Sequence, residues 1–140
     1  MIRPPTVLAL AVLGLLLAGC AHPRSRGAPR PAPVAPPVGT VVEGVASWYG
    51  PGFHGRRTAS GEVYDQDGLT AAHYDWAFGT RVEVTLLSTG RSVLVRVNDR
   101  FPPFKGRLID LSRGAARRIG LVGPGIGQVR VEVVESPGGS

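Results

Sequence analysis

The chain has 140 residues, with 16 lysines and arginines against 10 aspartates and glutamates, three histidines and one cysteine. A single cysteine excludes an internal disulfide, so any folded part must be stabilised by its core. The formal charge of +6 overstates the basic character of a domain, because Arg3 falls in an apolar leader and Arg24, Arg26 and Arg30 in a proline-rich stretch, where they face anionic headgroups or polymer. No basic helix or aromatic stripe of the kind that binds nucleic acid is present, and nucleic acid is excluded as a partner.

The leader MIRPPTVLALAVLGLLLAGC carries one early charge, Arg3, then an apolar run from Val7 to Leu17 and small residues. That is the pattern of a secretory signal, too short for a transmembrane helix. Its end, Leu17-Ala18-Gly19-Cys20, resembles the bacterial lipoprotein box, which implies that Cys20 is lipidated, becomes the mature N-terminus and ties the chain to a membrane. The following AHPRSRGAPRPAPVAPPVGT, Ala21 to Thr40, lacks a periodic apolar face and reads as an extended, semi-rigid tether. Roughly 20 residues at about 3 Å each give a reach of up to about 60 Å. Ala21 is not acidic, so by resemblance to lipoprotein sorting nothing holds the chain at the inner membrane. The expected location is the periplasmic side of the envelope, on the outer membrane. The expected segments are a signal over 1–19, the lipidated cysteine and tether over 20–43, one folded domain over 44–135 and a disordered tail over 136–140.

Within the domain the pattern is mostly strand. Val45 to Tyr49 is a short strand ending at Gly50. In TRVEVTLL, Thr80 to Leu87, Val82, Val84 and Leu86 alternate with polar residues, and in SVLVRVND the alternation resumes at Val93, Val95 and Val97. With Ser88-Thr89-Gly90 between them, the two runs predict a hairpin. SRGAARRIGL, Ser112 to Leu121, predicts a short helix with Ser112 as N-cap, Ala115, Ala116 and Ile119 inward, and Gly120 or Gly123 ending it. A last alternating strand runs from Val129 to Val134. Short strands, many glycines and one or two helices point to a small closed β-barrel, since closure removes exposed edges.

Four blocks in order, GVASWYGPGFHGRRTASGEVYD, LTAAHYDWAFGTRVEVT, TGRSVLVRVNDR and GRLIDLSRGAARRIG, resemble the rare lipoprotein A family across nearly all of Gly44 to Val134. The resemblance implies a mainly β fold, a six-stranded double-psi β-barrel with one or two short helices. It also implies a lytic transglycosylase that cleaves the β-1,4 bond between N-acetylmuramic acid and N-acetylglucosamine in peptidoglycan, leaving 1,6-anhydro ends. The alternative is a non-catalytic, expansin-like module that binds or loosens the wall.

Such a cleavage needs one carboxyl as acid and then base, because the muramic acid C6 hydroxyl itself attacks. By pattern Asp99, which ends a strand before Pro102, reads as a turn residue that accepts backbone amides or pairs with Arg100. The resemblance makes it the catalytic aspartate. Glu62, in the polar loop TASGEVYD, reads as a solvated glutamate, and the resemblance makes it a second carboxylate that polarises Asp99 or stabilises transition-state charge. His73 reads as a partly buried histidine, and by resemblance becomes a cleft residue that orients an acid or holds a sugar hydroxyl. Asp110, next to Ser112, caps the helix, pairs with Arg107 or takes part in catalysis. In WYGPGFH, Tyr49 and His54 are expected toward the cleft and Trp48 toward the core; Arg100, Phe101 and Phe104 complete the expected substrate-binding set. The spacing of His54, His73 and Asp75 fits no zinc pattern, so neither metal nor cofactor is expected, and the chain is expected to act as a monomer. Two departures stand out: Phe101-Pro102-Pro103-Phe104 replaces the family's Gly-Pro-Phe, and after Val134 there is no room for a C-terminal peptidoglycan-binding repeat.

Overall fold

A computed structural model describes residues 32–104 and 106–138; the expected signal, Cys20 and the tether through residue 31 lie outside the described residues. In chain order the elements are β1 Val41–Trp48, β2 Thr70–Ala72, β3 Arg81–Leu86, β4 Ser92–Asp99, β5 Arg107–Leu111, α1 Arg113–Ile119 and β6 Ile126–Glu135. The strands close into a barrel in the order β1-β5-β2-β4-β3-β6, with β6 returning to β1. The β1–β5 and β2–β4 pairs are parallel and the rest antiparallel. This is the expected six-stranded double-psi barrel, with one helix among the described residues.

The alternating runs form the barrel wall that the pattern predicts. Val82, Val84 and Leu86 of β3, Val93, Val95 and Val97 of β4, and Val129, Val131 and Val133 of β6 all turn inward and are buried. Each such side chain contributes roughly 1.5–3 kcal/mol on leaving water. β2 and β5 show no alternation. In β5 every residue from Leu108 to Leu111 is buried, as in strands covered on both faces.

The helix is bounded as its residues dictate. The Ser112 hydroxyl accepts from Ala115 N at 3.2 Å and donates to Gly68 O at 2.6 Å, tying the helix start to the loop before β2. Gly120 closes the helix in the left-handed region, at φ 83°, with its N–H on the last turn's carbonyls. Gly114 is needed for closeness, since a Cβ there would sit 2.6 Å from Asp67 O. At the N-terminal side β1 starts at Val41, before Gly44. Val34 already bonds the barrel through Val34 N to Asp75 O (2.8 Å) and Ala77 N to Val34 O (2.7 Å). Contacts with the barrel therefore begin inside the stretch read as tether.

Candidate active site

The sheet register brings four residues side by side. Ser47 on β1 faces Asp110 on β5, Asp110 faces Ala72 on β2, and Ala72 faces Asp99 on β4. At a strand spacing of about 4.8 Å, the Asp99 and Asp110 backbones stand roughly 10 Å apart. A register shift at Ala71/Ala72 leaves Asn98 as the extra residue on β4, a bulge of the kind that re-aims side chains at barrel rims.

Asp99 is fixed by three donors. Its Oδ1 accepts from Ala59 N and from Arg100 N, both at 2.8 Å, and its Oδ2 accepts from the Tyr49 hydroxyl at 2.8 Å. The amide-binding turn role read from the pattern is thus realised at Oδ1. Burial, and then the negative charge of Asp99, push the Tyr49 phenol far above its ordinary value, so Tyr49 stays protonated and keeps donating. Tyr49 also packs on Tyr64 at 4.7 Å and Phe53 at 6.0 Å between ring centres. Trp48 packs against the core, as expected.

Asp110 is 8 % exposed and sits in a different network. Arg107 donates from Nε to Asp110 Oδ1 at 2.7 Å and from Nη2 to Oδ2 at 3.0 Å, while Ser47 donates to Asp110 and accepts from Arg107. Of the three readings of Asp110, the pairing with Arg107 is realised, and capping falls to Ser112.

Glu62 makes its side-chain bonds with Arg96 and Asn98 of β4 rather than with Asp99. Arg96 grips it through two bonds of 2.7 and 3.0 Å, and Asn98 Nδ2 donates at 2.9 Å. These bonds, Arg96 first, hold Glu62 below the usual carboxylate range. The loop that carries it also carries Ala59, the amide donor to Asp99, and Ser60 N bonds to Asn98 O at 3.2 Å.

His73 departs from the expectation of a cleft residue, because its side chain is wholly buried. The ring stacks on Trp76 at 4.0 Å and on Tyr74 at 4.4 Å, and Nδ1 accepts from Trp76 N at 3.1 Å and Asp75 N at 3.3 Å. Burial first, then the Arg100 charge, lower its pKa to about 3. The ring is therefore neutral, with its proton assigned to Nε2 by the hydrogen-bond pattern, and the 3.2 Å approach of Asp75 Oδ1 to Nδ1 is not an ion pair. Its link to Asp99 runs through the backbone, His73 N to Asp99 O at 3.1 Å.

Arg100 donates to His73 O at 3.3 Å and lies 4.0 Å over the Phe78 ring. His54 is exposed, and its Nδ1 accepts from Gln66 N at 3.1 Å. Phe101 is half-buried between Tyr74 and the Arg107 guanidinium, and Phe104 is exposed. Cys20 lies outside the described residues. Sequence reasoning did not single out Ser47, Ala59, Arg96 or Asn98, and it gave Tyr49 a sugar-facing role rather than a bond to Asp99. Their partners lie 34 to 63 positions away in the chain, and they are joined only by the barrel's crossing connections.

Residues 41–131 match the family model described as Lytic transglycolase. A probable endolytic peptidoglycan transglycosylase RlpA of Synechocystis sp. is 59% identical over 95 residues, 68% of this chain and 30% of that protein. The endolytic peptidoglycan transglycosylase RlpA of Campylobacter jejuni is 50% identical over 102 residues, 73% of this chain and 37% of that protein. The chain thus spans about a third of the length of these curated relatives. Among solved structures, an expansin of Clavibacter michiganensis is similar with a TM-score of 0.56 and 27% identity, covering 71% of this chain and 53% of that one. With a model match over more than half of the chain, from the start of β1 into β6, the chain belongs to the lytic transglycolase family.

Proposed function

We propose that the chain is an endolytic peptidoglycan transglycosylase and that Asp99 is its acid and base. The observation that carries this is the occupancy of the Asp99 carboxyl. A carboxylate oxygen offers two lone-pair directions. Among the described residues Oδ1 receives two amide donors, whereas Oδ2 receives only the Tyr49 hydroxyl, so one direction on Oδ2 is left for a substrate. Asp99 gives its proton to the glycosidic oxygen as the bond from the muramic acid anomeric carbon breaks. The C6 hydroxyl closes on that carbon, and Asp99 takes the hydroxyl proton, ending as it began. General acid–base help of this kind is worth about 10²- to 10⁴-fold. Glu62 keeps Arg96 and Asn98 in place beside Asp99, His73 supports the Asp99 backbone, and Asp110 fixes Arg107 and Ser47 in the wall of the site. Tyr49, His54, Arg100, Phe101 and Phe104 line or support the path of the glycan strand.

In this reading residues 1–19 are a signal and Cys20 is lipidated. The chain is then a monomeric lipoprotein held by its tether at the periplasmic face of the outer membrane, with peptidoglycan as its partner. The names of the relatives at 50–59% identity support the reaction, and the leader pattern supports the anchor. The likeness to an expansin favours one second reading, a module that holds glycan without cutting it. The purified chain, incubated with glycan strands with and without stem peptides, should release 1,6-anhydro muropeptides detectable by mass spectrometry. Bound but uncut strands would replace the enzyme reading with the second one.

A further inference from the structure

A groove of about 450 Å³ lies beside the row of aspartates, lined among others by Glu43, Tyr74, Pro103, Phe104 and Arg107. Its size falls within the roughly 300–1,000 Å³ typical of ligand pockets. Two aromatic side chains are displayed in it although burial would stabilise them, Phe104 at 69% exposure and Tyr74 at 40%. Tyr74 is braced from behind by its stack on His73 and at its edge by Phe101, 6.3 Å away, so its ring is held as a rigid platform. Arg107 is the wall shared with the site: its Nε and Nη2 bond Asp110 and Ser47, which leaves Nη1 outside those bonds, and Glu43 brings carboxylate acceptors to the groove.

We propose that this groove is a saccharide subsite. It holds a pyranose ring of the glycan strand beyond the bond cut at Asp99, packed on Phe104 and Tyr74 and hydrogen-bonded at its rim by Glu43 and Arg107. The inference rests on the glycan-cleaving reading above. A sugar ring fits because it offers C–H faces to aromatic rings and hydroxyls at its edge to one acceptor and one donor. An acyl chain would offer no hydrogen-bond partner to the Glu43 carboxylate or to Arg107 Nη1 at the rim. Arg107 joins the groove to Asp110 and Ser47, in the cross-strand row whose other end is Asp99. Phe104 comes from the Phe-Pro-Pro-Phe segment between Asp99 and Asp110.

The test uses the full chain carrying Asp99→Asn, which binds without cutting, titrated calorimetrically with peptide-free glycan strands. Phe104→Ala in that background should weaken binding roughly five- to tenfold with no change in melting temperature, and Phe104→Trp should restore it. In the otherwise wild-type chain Phe104→Ala should raise KM for long strands. If Kd and KM are unchanged by Phe104→Ala, the subsite is overturned while the catalytic reading stands. If no anhydro products form at all but Phe104→Ala still weakens glycan binding, the catalytic reading fails and the subsite stands. Binding of an isolated stem tetrapeptide that depends on Phe104, in place of glycan binding, also overturns the proposal.

Discussion

Asp99 and Asp110 occupy the same cross-strand row, with only Ala72 between them, yet the barrel holds them by different means. The bonds to the Asp110 carboxylate come from the Arg107 guanidinium and the Ser47 hydroxyl, inside a nearly closed pocket. Those to Asp99 come from two backbone amides and a phenol, at a strand end beside a bulge. The first arrangement commits a buried carboxylate to a half-buried cation. The second orients a carboxylate without consuming all of its acceptor directions. The residue type is the same in the two regions; the partners separate structure from chemistry.

The strongest way to break this contrast is to remove the cation. Arg107→Met leaves Asp110 buried and uncompensated, and should cost about 2–3 kcal/mol, below the roughly 3–5 kcal/mol of a fully buried pair because Arg107 is a third exposed. A fall in melting temperature of roughly 10 °C or more checks it, and a variant as stable as the parent would show that Asp110 does not depend on its partner.

Acid should separate the two supports. His73, which bonds Asp99 through the backbone, has its folded pKa at about 3 against an ordinary 6.5. Between these values the unfolded chain binds the proton that the folded chain refuses, so stability is full above about pH 6.5 and falls as pH drops toward 3. At about 1.4 kcal/mol per pKa unit the loss reaches a few kcal/mol. Glu62, held below its ordinary 4.5 by Arg96 and Asn98, adds its own loss only from that lower pH downward. Urea unfolding should therefore show a slope between pH 6.5 and 4.5 that disappears in His73→Asn.

A smaller effect sharpens the contrast. Tyr49→Phe removes the one bond to Asp99 Oδ2 while keeping the ring packed on Tyr64. We expect kcat to fall about tenfold, the worth of roughly 1.4 kcal/mol of positioning, with little change in stability. An unchanged rate would mean that Oδ2 is not the reacting oxygen.

Much of the barrel was legible because three of its strands, β3, β4 and β6, wet one face and so print a period of two in the sequence. The helix was legible too, since Ser112 and Gly120 are the residue types its ends require. β2 and β5 were not. β2 is three residues long and β5 is covered on both faces, so neither carries a period. The β2 and β5 pairings with β4 and β1 are parallel, set by crossovers that leave no local signal. The site followed the same division. Block resemblance singled out Asp99 and Glu62 for attention, but the pairing of Glu62 with Arg96 and Asn98, the burial of His73 and the Tyr49 bond depend on three-dimensional neighbours. Phe104, expected from the sequence among the substrate-binding residues, is displayed in the groove beside the site.

The most direct measurement compares Asp99→Asn with Asp110→Asn in one assay, recording anhydro-product formation and melting temperature for each. Asp99→Asn should lose about a thousandfold in rate while melting within a few degrees of the parent, and Asp110→Asn should melt lower while still forming product. Loss of product in a well-folded Asp110→Asn, with cutting retained by Asp99→Asn, would contradict it.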